Sequence, residues 1–337
     1  MKIGCPYGTH RVIAPIGVLP QAAWKIDNNM EPFDNELLVD VSVLNIDAAS
    51  FRQIEEQAGG KQERIAEIIL KTVADRGKQH NPVTGSGGML TGTVMEKGKA
   101  FPGDVKPGDK IATLVSLSLT PLRVDKVHQV NVERDQVTIS GQAIIFASGI
   151  YAKLPEDLPE DFALAMLDVA GAPAQTAKLV KPGDTVLVVG GGGKSGLLCL
   201  YEAKKRAGIT GTVIGLSHSD KGSERIRASG LADIVLQGDA TNAVDILDKV
   251  KSVTESCLAD ITINCVNVPG TEMASILSTK DGGTVYFFSM ATSFTAAALG
   301  AEGVGKDVQL LIGNGYTKGH TEIVLDAARN LKIKGVL

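Results

Sequence analysis

Three glycines in one short segment carry the clearest chemical signal of the chain. The segment VLVVGGGGKSGLLCL spans Val186–Leu200, and within it Gly191, Gly193 and Gly196 satisfy the pattern G-x-G-x-x-G. In this pattern the first glycine permits a tight turn after a strand, the second lets the backbone approach a pyrophosphate, and the third lets a helix pack against the strand. The negative charge then lies at a helix N-terminus, where unpaired N–H groups point outward. Because the segment follows a predicted strand and opens a predicted helix, it predicts a dinucleotide site.

These glycines allow two other interpretations. A glycine-rich turn without a ligand is compatible with four consecutive glycines. The run Gly193-Lys194-Ser195 also suggests the phosphate loop of nucleotide hydrolases, which requires a glycine five positions before the second one. That position is Val188, inside the predicted strand, so the spacing excludes the hydrolase.

The adenosine end of the ligand is less well defined. A carboxylate is expected about 20 residues after the glycines, where it would bind the ribose hydroxyls of NAD. Gly215 stands there, and no Asp or Glu ends the predicted strand. Ser217, His218 and Lys221 follow and could bind a 2′-phosphate, although a solvated turn explains them equally well. The residues are therefore compatible with either NADP or NAD as the cofactor.

The elements around the glycines form a regular pattern. Strands and helices alternate after Tyr151, which predicts parallel strands joined by crossover helices. The predicted strands are Thr185–Gly190, Thr212–Ser217, Asp233–Leu236, Asp260–Val266, Thr284–Ser289 and Asp307–Gly313. The predicted helices between them include Ser195–Arg206, Gly222–Ala228, Ala243–Ser252 and Gly270–Leu277.

The first 150 residues have a different character. Short β-branched runs separated by glycine and proline turns predict a barrel or sandwich. The predicted strands are Leu37–Leu44, Leu90–Met95, Lys110–Val115, Gln136–Ile139 and Gln142–Ala147. A helical interruption runs from about residue 50 to 80, where Ile65, Ile68, Ile69 and Val73 recur at helical spacing.

Composition narrows the classes of function. The 337 residues carry a net charge of −4, which gives no support for nucleic-acid binding. No apolar run approaches the length of a membrane-spanning helix, and the N-terminus lacks the apolar core of a signal peptide. The four cysteines form no C-x-x-C pair. We therefore expect a cytoplasmic protein with reduced thiols, and neither nucleic-acid nor membrane partners.

The sequence resembles the medium-chain dehydrogenase/reductase superfamily. The matching segments are KPGDTVLVVGGGGKSG, ASGLADIVL, DITINCVNVPGTEM and GGTVYFFSM in the second half, and more weakly ELLVDVSVLNID, TGSGGMLTGTVMEKG and VKPGDKIATL in the first. The resemblance implies an α/β protein with a GroES-like β-barrel domain at 1–150, a Rossmann domain with a doubly wound parallel sheet at 151–313, and a C-terminal helix at 314–337 returning towards the barrel. It also implies NAD as cofactor and a homodimer joined through the last Rossmann strand.

The departures from this superfamily concern its metal. Zinc members place ligands where this chain has Asn45, Ile46 and Asp47, where it has Gly85-Ser86-Gly87, and near Asp168. Zinc needs three or four Cys, His or carboxylate ligands. We therefore expect no zinc and no other metal.

Taken whole, the chain resembles a branch of the superfamily that oxidatively deaminates a small diamino acid in anaerobic lysine fermentation. The segments that carry this resemblance are Cys5–Asp27 and NIDAASFRQIEEQ. The chemistry needs a base for the amine and favours a carboxylate near the developing iminium charge. Asp47 is the leading candidate, with a helix N-cap as an equally good explanation. Asp168 and His80 are further candidates, although a helix-end carboxylate and an exposed loop histidine explain them better.

The remaining site residues are predicted as two groups. Arginine suits a substrate carboxylate, and it occurs beside other polar residues of the first domain. The residues predicted to bind substrate are Tyr7, His10, Arg11, Asn45, Arg52 and Ser86. The residues predicted to bind the cofactor are Gly191, Gly192, Gly193, Lys194, Ser195, Gly196, Ser217, His218, Lys221, Asn264, Cys265, Val266, Ser289 and Met290.

Two other functions stay open from the sequence. A zinc-independent quinone or enoyl reductase would also lack the metal ligands, and it would not need carboxylates beside the nicotinamide. A non-catalytic protein would bind a dinucleotide at the glycine loop but would turn over no substrate.

Overall fold

The structure, a computed structural model, describes residues 2–81, 85, 87–289, 291–313 and 316–333, except for the side chains of residues 48, 49, 332 and 333. The chain divides into two compact units, residues 1–160 and 161–337. The sequence-based boundary at residue 150 lies ten residues earlier. Tyr151–Lys153 forms a strand that pairs with Lys110–Thr113 of the first unit, because its three residues extend that sheet by backbone hydrogen bonds.

The first unit is built on antiparallel strands. They are β1 (Val12–Ala14), β2 (Lys25–Ile26), β3 (Glu36–Asn45), β4 (Met89–Lys97), β5 (Lys110–Thr113), β6 (Leu122–Asn131), β7 (Gln136–Phe146) and β8 (Tyr151–Lys153). Six of them form one sheet in the order β6-β7-β3-β4-β5-β8, and β1 pairs with β2. Its buried face supplies most of a core that includes Leu37, Val39 and Ile145. The expected β-rich unit is confirmed, and β7 joins two segments that the sequence predicted as separate strands.

Two helices interrupt the strands of this unit. The sequence predicted one helical interruption, whereas the structure has α1 (Ala48–Ala58) and α2 (Gln62–Arg76). Gly59 and Gly60 have φ of 63° and 72°, a left-handed conformation that ends α1 and that glycine adopts without strain. Ile65, Ile69 and Val73 form the buried face of α2, as their spacing predicts.

The second unit alternates helices and strands. In chain order these are α3 (Glu160–Leu167), α4 (Gly171–Leu179), β9 (Thr185–Val189), α5 (Lys194–Ala207), β10 (Thr212–Ser217), α6 (Asp220–Ser229), β11 (Ile234–Gln237), α7 (Ala243–Val253), β12 (Ala259–Asn264), α8 (Glu272–Leu277), β13 (Thr279–Phe287), α9 (Phe294–Gly303), β14 (Gln309–Ile312) and α10 (His320–Ile333). Short 3-10 turns lie in the first unit at Thr9–Arg11, Leu117–Leu119 and Val132–Arg134, and in the second unit at Gly208–Thr210.

The sheet of the second unit is parallel throughout, in the order β11-β10-β9-β12-β13-β14. The strand order reverses direction between β9 and β12, and a ligand binds at the carboxyl ends of the strands at such a switch point. This confirms the predicted doubly wound Rossmann sheet. The last helix, α10, packs on α4 and α5 of the same unit, and Asp326 Oδ2 lies 2.9 Å from Lys205 Nζ. The structure therefore joins the C-terminal helix to the second unit, whereas the sequence predicted that it returns towards the first.

Candidate functional site

The glycine loop connects β9 to α5. The left-handed residue of the turn is Gly190, with φ of 82°, one position before the glycine that the motif assigned to this task. A Cβ on Gly196 would meet the carbonyl oxygen of Gly190 and lie 2.6 Å from Cα of Gly191. Only a glycine therefore allows α5 to approach the end of the strand so closely.

Two other glycines of the loop have different surroundings. A Cβ on Gly192 would lie 2.6 Å from Cα of Gly222 in α6, so this glycine holds the loop against the next helix. Gly193, the N-cap of α5, has only the Gly190 carbonyl within 4 Å of such a Cβ. The loop therefore leaves open space at Gly193, at the end of a helix whose first N–H groups lack intrahelical partners. This geometry fits a pyrophosphate.

A cavity of about 590 Å³ lies over this loop, and we call it the glycine-loop cavity. It is lined by the loop, by the ends of β10, β11 and β12, and by one face of α6. The lining residues are Val189, Gly190, Gly192, Gly193, Leu216, Ser217, His218, Ser219, Lys221, Gly222, Arg225, Gly238, Asp239, Ala240, Thr241, Val266, Val268 and Thr271. The structure thus brings together six of the predicted cofactor residues, namely Gly192, Gly193, Ser217, His218, Lys221 and Val266.

The cavity carries more positive than negative charge. Lys221 and Arg225 lie one helical turn apart on α6, and Arg225 Nη1 donates to the Gly192 carbonyl at 3.1 Å. Arg225 is not among the cofactor residues predicted from the sequence, although its i, i+4 spacing from Lys221 places both on one helix face. Asp239, after β11, is the carboxylate of the cavity. Its pKa is lowered by hydrogen bonds from the Thr241 backbone N–H and hydroxyl, which keep it ionised.

Several predicted cofactor residues do not line this cavity. Lys194 and Ser195 begin α5, and Gly191 packs on Ile226 and Leu200. The Asn264 side chain is used internally, because it donates to Thr271 Oγ1 and Ser275 Oγ at 2.9 Å each.

The other predicted residues at the strand ends are also engaged within the fold. Cys265 Sγ lies 3.8 Å from Cys199 Sγ, and this hydrogen bond and burial raise its pKa. Ser289 Oγ lies 2.8 Å from Asn267 Oδ1, where it donates. Met290 lies outside the described residues.

The candidate catalytic carboxylates both have structural contacts. Asp47 caps α1, since its Oδ1 accepts from the Ser50 N–H at 3.0 Å. Asp168 Oδ2 lies 3.5 Å from Nζ of Lys194, the first residue of α5, and both side chains are partly exposed. Asp47 therefore serves as the N-cap of α1. Asp168 lies beside the glycine loop.

His80 is a poor base near neutral pH. Burial, followed by the charges of Lys78 and Arg76, lowers its pKa to about 4. Its Nδ1 lies 2.9 Å from Arg76 Nη1, an arrangement that requires the neutral ring to accept. The structure therefore corrects the expectation that His80 could exchange protons near pH 7.

Arg11 has a structural role in place of the predicted substrate contact. Its side chain is 2 % exposed, and it donates to both oxygens of Glu36, at 2.8 and 2.6 Å. It also donates to the carbonyl oxygens of Asn29 and Glu31. Burial raises the pKa of Glu36, but hydrogen bonds from Arg11 and from the Phe33 N–H outweigh burial and hold that pKa below its ordinary value. Arg11 thus ties the N-terminal segment to β3.

The other predicted substrate residues do not form one site with Arg11, although His10 shares its partner Glu36. His10 Nε2 also contacts Glu36 Oε1, at 2.9 Å. Asn45 Oδ1 accepts from Gln136 Nε2 at 3.1 Å, between two strands. Tyr7 and Arg52 are exposed. Ser86 lies outside the described residues.

The described residues hold no group of three or more His, Cys, Asp or Glu side chains that could bind a metal ion. Within that same part of the chain, no helix is long and apolar enough to cross a membrane.

The parallel sheet, its glycine loop and the cavity over that loop are typical of enzymes that bind a dinucleotide. A crystal structure of an enoyl reductase has the same fold, with a TM-score of 0.58 and 15% identity over 97% of this chain and 88% of that chain. Residues 10–155 match the N-terminal domain family of L-erythro-3,5-diaminohexanoate dehydrogenase.

Two relatives extend this match along the chain. They are the L-erythro-3,5-diaminohexanoate dehydrogenases of Acetoanaerobium sticklandii and of Fusobacterium nucleatum. These are 59% and 58% identical to this chain, each over 98% of this chain and 96% of the relative. The chain belongs to the L-erythro-3,5-diaminohexanoate dehydrogenase family.

Proposed function

We propose that the protein is an NAD(P)-dependent dehydrogenase that oxidatively deaminates L-erythro-3,5-diaminohexanoate to 5-amino-3-oxohexanoate and ammonium in anaerobic lysine degradation. The observation that carries this proposal is the 59% identity to a dehydrogenase of that name over 98% of the chain. The glycine-loop cavity supports it, because its open glycine and cationic wall suit a dinucleotide. We propose further that the second unit binds the cofactor and the first unit binds substrate.

Different residues of the glycine-loop cavity would bind different parts of the cofactor. Gly192 and Gly193, with the N-terminus of α5, would hold the pyrophosphate. Ser217, Lys221 and Arg225 would hold the adenosine ribose, and no carboxylate ends β10 to repel a 2′-phosphate. When bound, the nicotinamide supplies the hydride acceptor for the reaction.

The substrate chemistry sets the tasks of the protein. The amine at C3 must lose a proton before its C–H bond can give up a hydride, because an ammonium has no lone pair. Loss of the hydride leaves an iminium cation, which water attacks, and ammonium departs as the ketone forms. We propose Asp47 as the residue that accepts the proton and stabilises the cation, with Asp168 as the alternative.

An assay of the whole enzyme tests the proposed function. Purified protein is mixed with L-erythro-3,5-diaminohexanoate and with NAD or NADP in parallel, and absorbance at about 340 nm follows the reduced cofactor. We expect reduction together with stoichiometric release of ammonium. Oxidation of NAD(P)H by quinones or enoyl thioesters, without reaction of the diamine, would establish the reductase in its place. Cofactor binding without turnover of any of these would establish the non-catalytic protein.

We also propose a homodimer joined through β14. This strand is at the end of the sheet order, so one of its backbone edges is available to a second copy. Ile312 on this strand is 50 % exposed. Light scattering on the eluting protein should give twice the mass of 35.3 kDa. A cytoplasmic location is part of the same proposal, and the four free cysteine thiols support it.

A further inference from the structure

A second cavity lies within the first unit, and we call it the α1–α2 cavity. It measures about 350 Å³ and is lined by facing residues of α1 and α2 together with Trp24, Gln79 and His80. The predicted substrate arginine, Arg11, lies outside this lining. The cavity nevertheless carries charged and amide groups of the kind that bind a small zwitterion.

Arg76 supplies a positive charge that pairs with no carboxylate among the described residues. Its guanidinium lies 3.9 Å from the centre of the Trp24 ring, and its Nη1 donates to His80 Nδ1 at 2.9 Å. Neither partner is an anion. Throughout the described part of the chain, no carboxylate forms an ion pair with Arg76, and the neighbouring Asp75 pairs with Lys71 at 2.8 Å. The ring and the imidazole therefore position a guanidinium whose charge is unmatched.

The surroundings of Arg76 add to this positive charge. Lys78 is fully buried, and its Nζ donates to the carbonyl oxygens of Pro20 and Gln21, at 2.6 and 3.1 Å. Burial and then the charge of Arg76 lower the pKa of Lys78 to about 8, so it is still mostly charged at pH 7. His80 is neutral there, as its low pKa requires. Lys78 does not line the cavity, so its charge acts on an anion there only from a distance. Lys71 and Asp75 do line the cavity, but they pair with each other, which leaves Arg76 as the cation that an anion would contact.

Gln79 gives an independent sign of a missing ligand group. Its side chain is 2 % exposed and lines the cavity. Its Oε1 is buried and accepts no hydrogen bond from any residue that the structure describes. Buried polar atoms of folded proteins nearly always have a partner. A donor such as an ammonium would satisfy this oxygen.

We infer that the α1–α2 cavity binds the diamino acid substrate by the two charged groups that do not react, with the carboxylate on Arg76 and the C5 ammonium on Gln79 Oε1. The inference rests on the proposed function for the identity of the substrate. The fork of N–H donors on an arginine matches the two oxygens of a carboxylate. A diamino acid carries both a carboxylate for Arg76 and an ammonium for Gln79 Oε1.

Steady-state kinetics of Arg76→Gln, with NAD and NADP as cofactors, test the inference. We expect its KM for L-erythro-3,5-diaminohexanoate to rise about 10- to 100-fold, the usual loss for a charged hydrogen bond, while the KM for the cofactor is unchanged. Arg64→Gln is the matched control, because Arg64 is an exposed residue of the same helix that does not line the cavity, and its KM should stay at the wild-type value. Arg76→Lys keeps the positive charge but lacks the fork of N–H donors. Its KM for the diamino acid should lie between those of Arg64→Gln and Arg76→Gln.

A substrate without the carboxylate isolates the contact. The wild-type enzyme should use 2,4-diaminopentane at least 10-fold less efficiently than the diamino acid, and Arg76→Gln should lose most of that preference. A wild-type KM in Arg76→Gln, or an undiminished preference for the carboxylate, would overturn the inference even though the enzyme is active. Failure of the wild-type enzyme to oxidise the diamino acid with either cofactor would instead contradict the proposed function.

Discussion

The glycine-loop cavity and the α1–α2 cavity are built in opposite ways. The glycine-loop cavity is shaped by what its residues lack, since Gly192 and Gly196 leave no room for a side chain and Gly193 borders open space. The α1–α2 cavity is shaped by side chains, with Arg76 held in place by an aromatic ring and an imidazole. Adding a single methyl group should therefore damage the first, whereas removing a charged group should damage the second.

The first unit shows that an arginine beside a polar segment is not by itself a binding site. Every hydrogen bond that the structure gives to Arg11 goes to a group of the fold, and its charge is matched by Glu36. Arg76 has no such match among the described residues. The difference between a structural and a binding arginine thus lies in whether the fold supplies the anion.

The largest effect should come from removing the charge of Arg11. Arg11→Met leaves the Glu36 carboxylate buried beside no guanidinium, and breaking a buried pair costs about 3–5 kcal/mol. We expect a loss of that size in the free energy of unfolding at pH 7, measured by urea denaturation. Cofactor affinity of the folded fraction should not change. Arg123→Met, at an exposed arginine of β6, should have little effect on stability.

The pH dependence of this loss has a definite sign. In the wild type the pKa of Glu36 is below its ordinary value of 4.5. The ionised Glu36 carboxylate therefore makes its full contribution to the free energy of unfolding above pH 4.5, and this contribution is lost as the pH falls through the pKa of the folded state. In Arg11→Met burial should raise the pKa of Glu36, because the main opposing donor is gone. The stability difference between the two proteins should therefore shrink as the pH is lowered from 7 to 4. A constant difference would contradict the assigned ion pair.

Gly196→Ala should have the next largest effect. The added Cβ would meet the backbone of Gly190 and Gly191, so α5 or the loop must shift, and such overpacking costs about 1–3 kcal/mol. Because the loop would hold the pyrophosphate, we expect cofactor binding to weaken about 100-fold by calorimetry. Gly303→Ala is the control, since nothing lies within 4 Å of its added Cβ in α9. Equal cofactor binding by both variants would contradict the role of the loop.

Asp47→Asn separates two roles of one residue. Asparagine caps a helix as well as aspartate does, so the stability of α1 should be kept. If Asp47 handles the proton and the developing cation, turnover should fall about 100-fold with cofactor affinity unchanged. Asp47→Ala should lose both turnover and about 1 kcal/mol of stability. Near-normal turnover of Asp47→Asn would remove Asp47 from the mechanism and leave Asp168 as the candidate.

Local spacing accounts for what the sequence could predict. The glycine loop, β10 and the alternation of the second unit follow from residues close together in the chain, and these predictions are confirmed. The strand β6 was missed because most of its residues are exposed or partly exposed and polar, so no apolar alternation marks it. Arg76 was missed because its partner Trp24 lies 52 residues away, a contact that only the fold brings about.

The smallest effect should separate the two forms of the cofactor. Lys221 is exposed on α6 and faces the glycine-loop cavity, where its charge would act on a 2′-phosphate but not on a ribose hydroxyl. Lys221→Ala should weaken NADP binding about 3- to 10-fold and leave NAD binding nearly unchanged, since exposed charges interact weakly. The NADP effect should also shrink at high salt, because salt screens exposed charges. Arg227→Ala, at an exposed arginine of the same helix that does not line the cavity, should change neither affinity. If Lys221→Ala weakened NAD and NADP equally, the end of β10 would not be the part of the cavity that senses the 2′ group, and the cations of α6 would act on the pyrophosphate that both cofactors share.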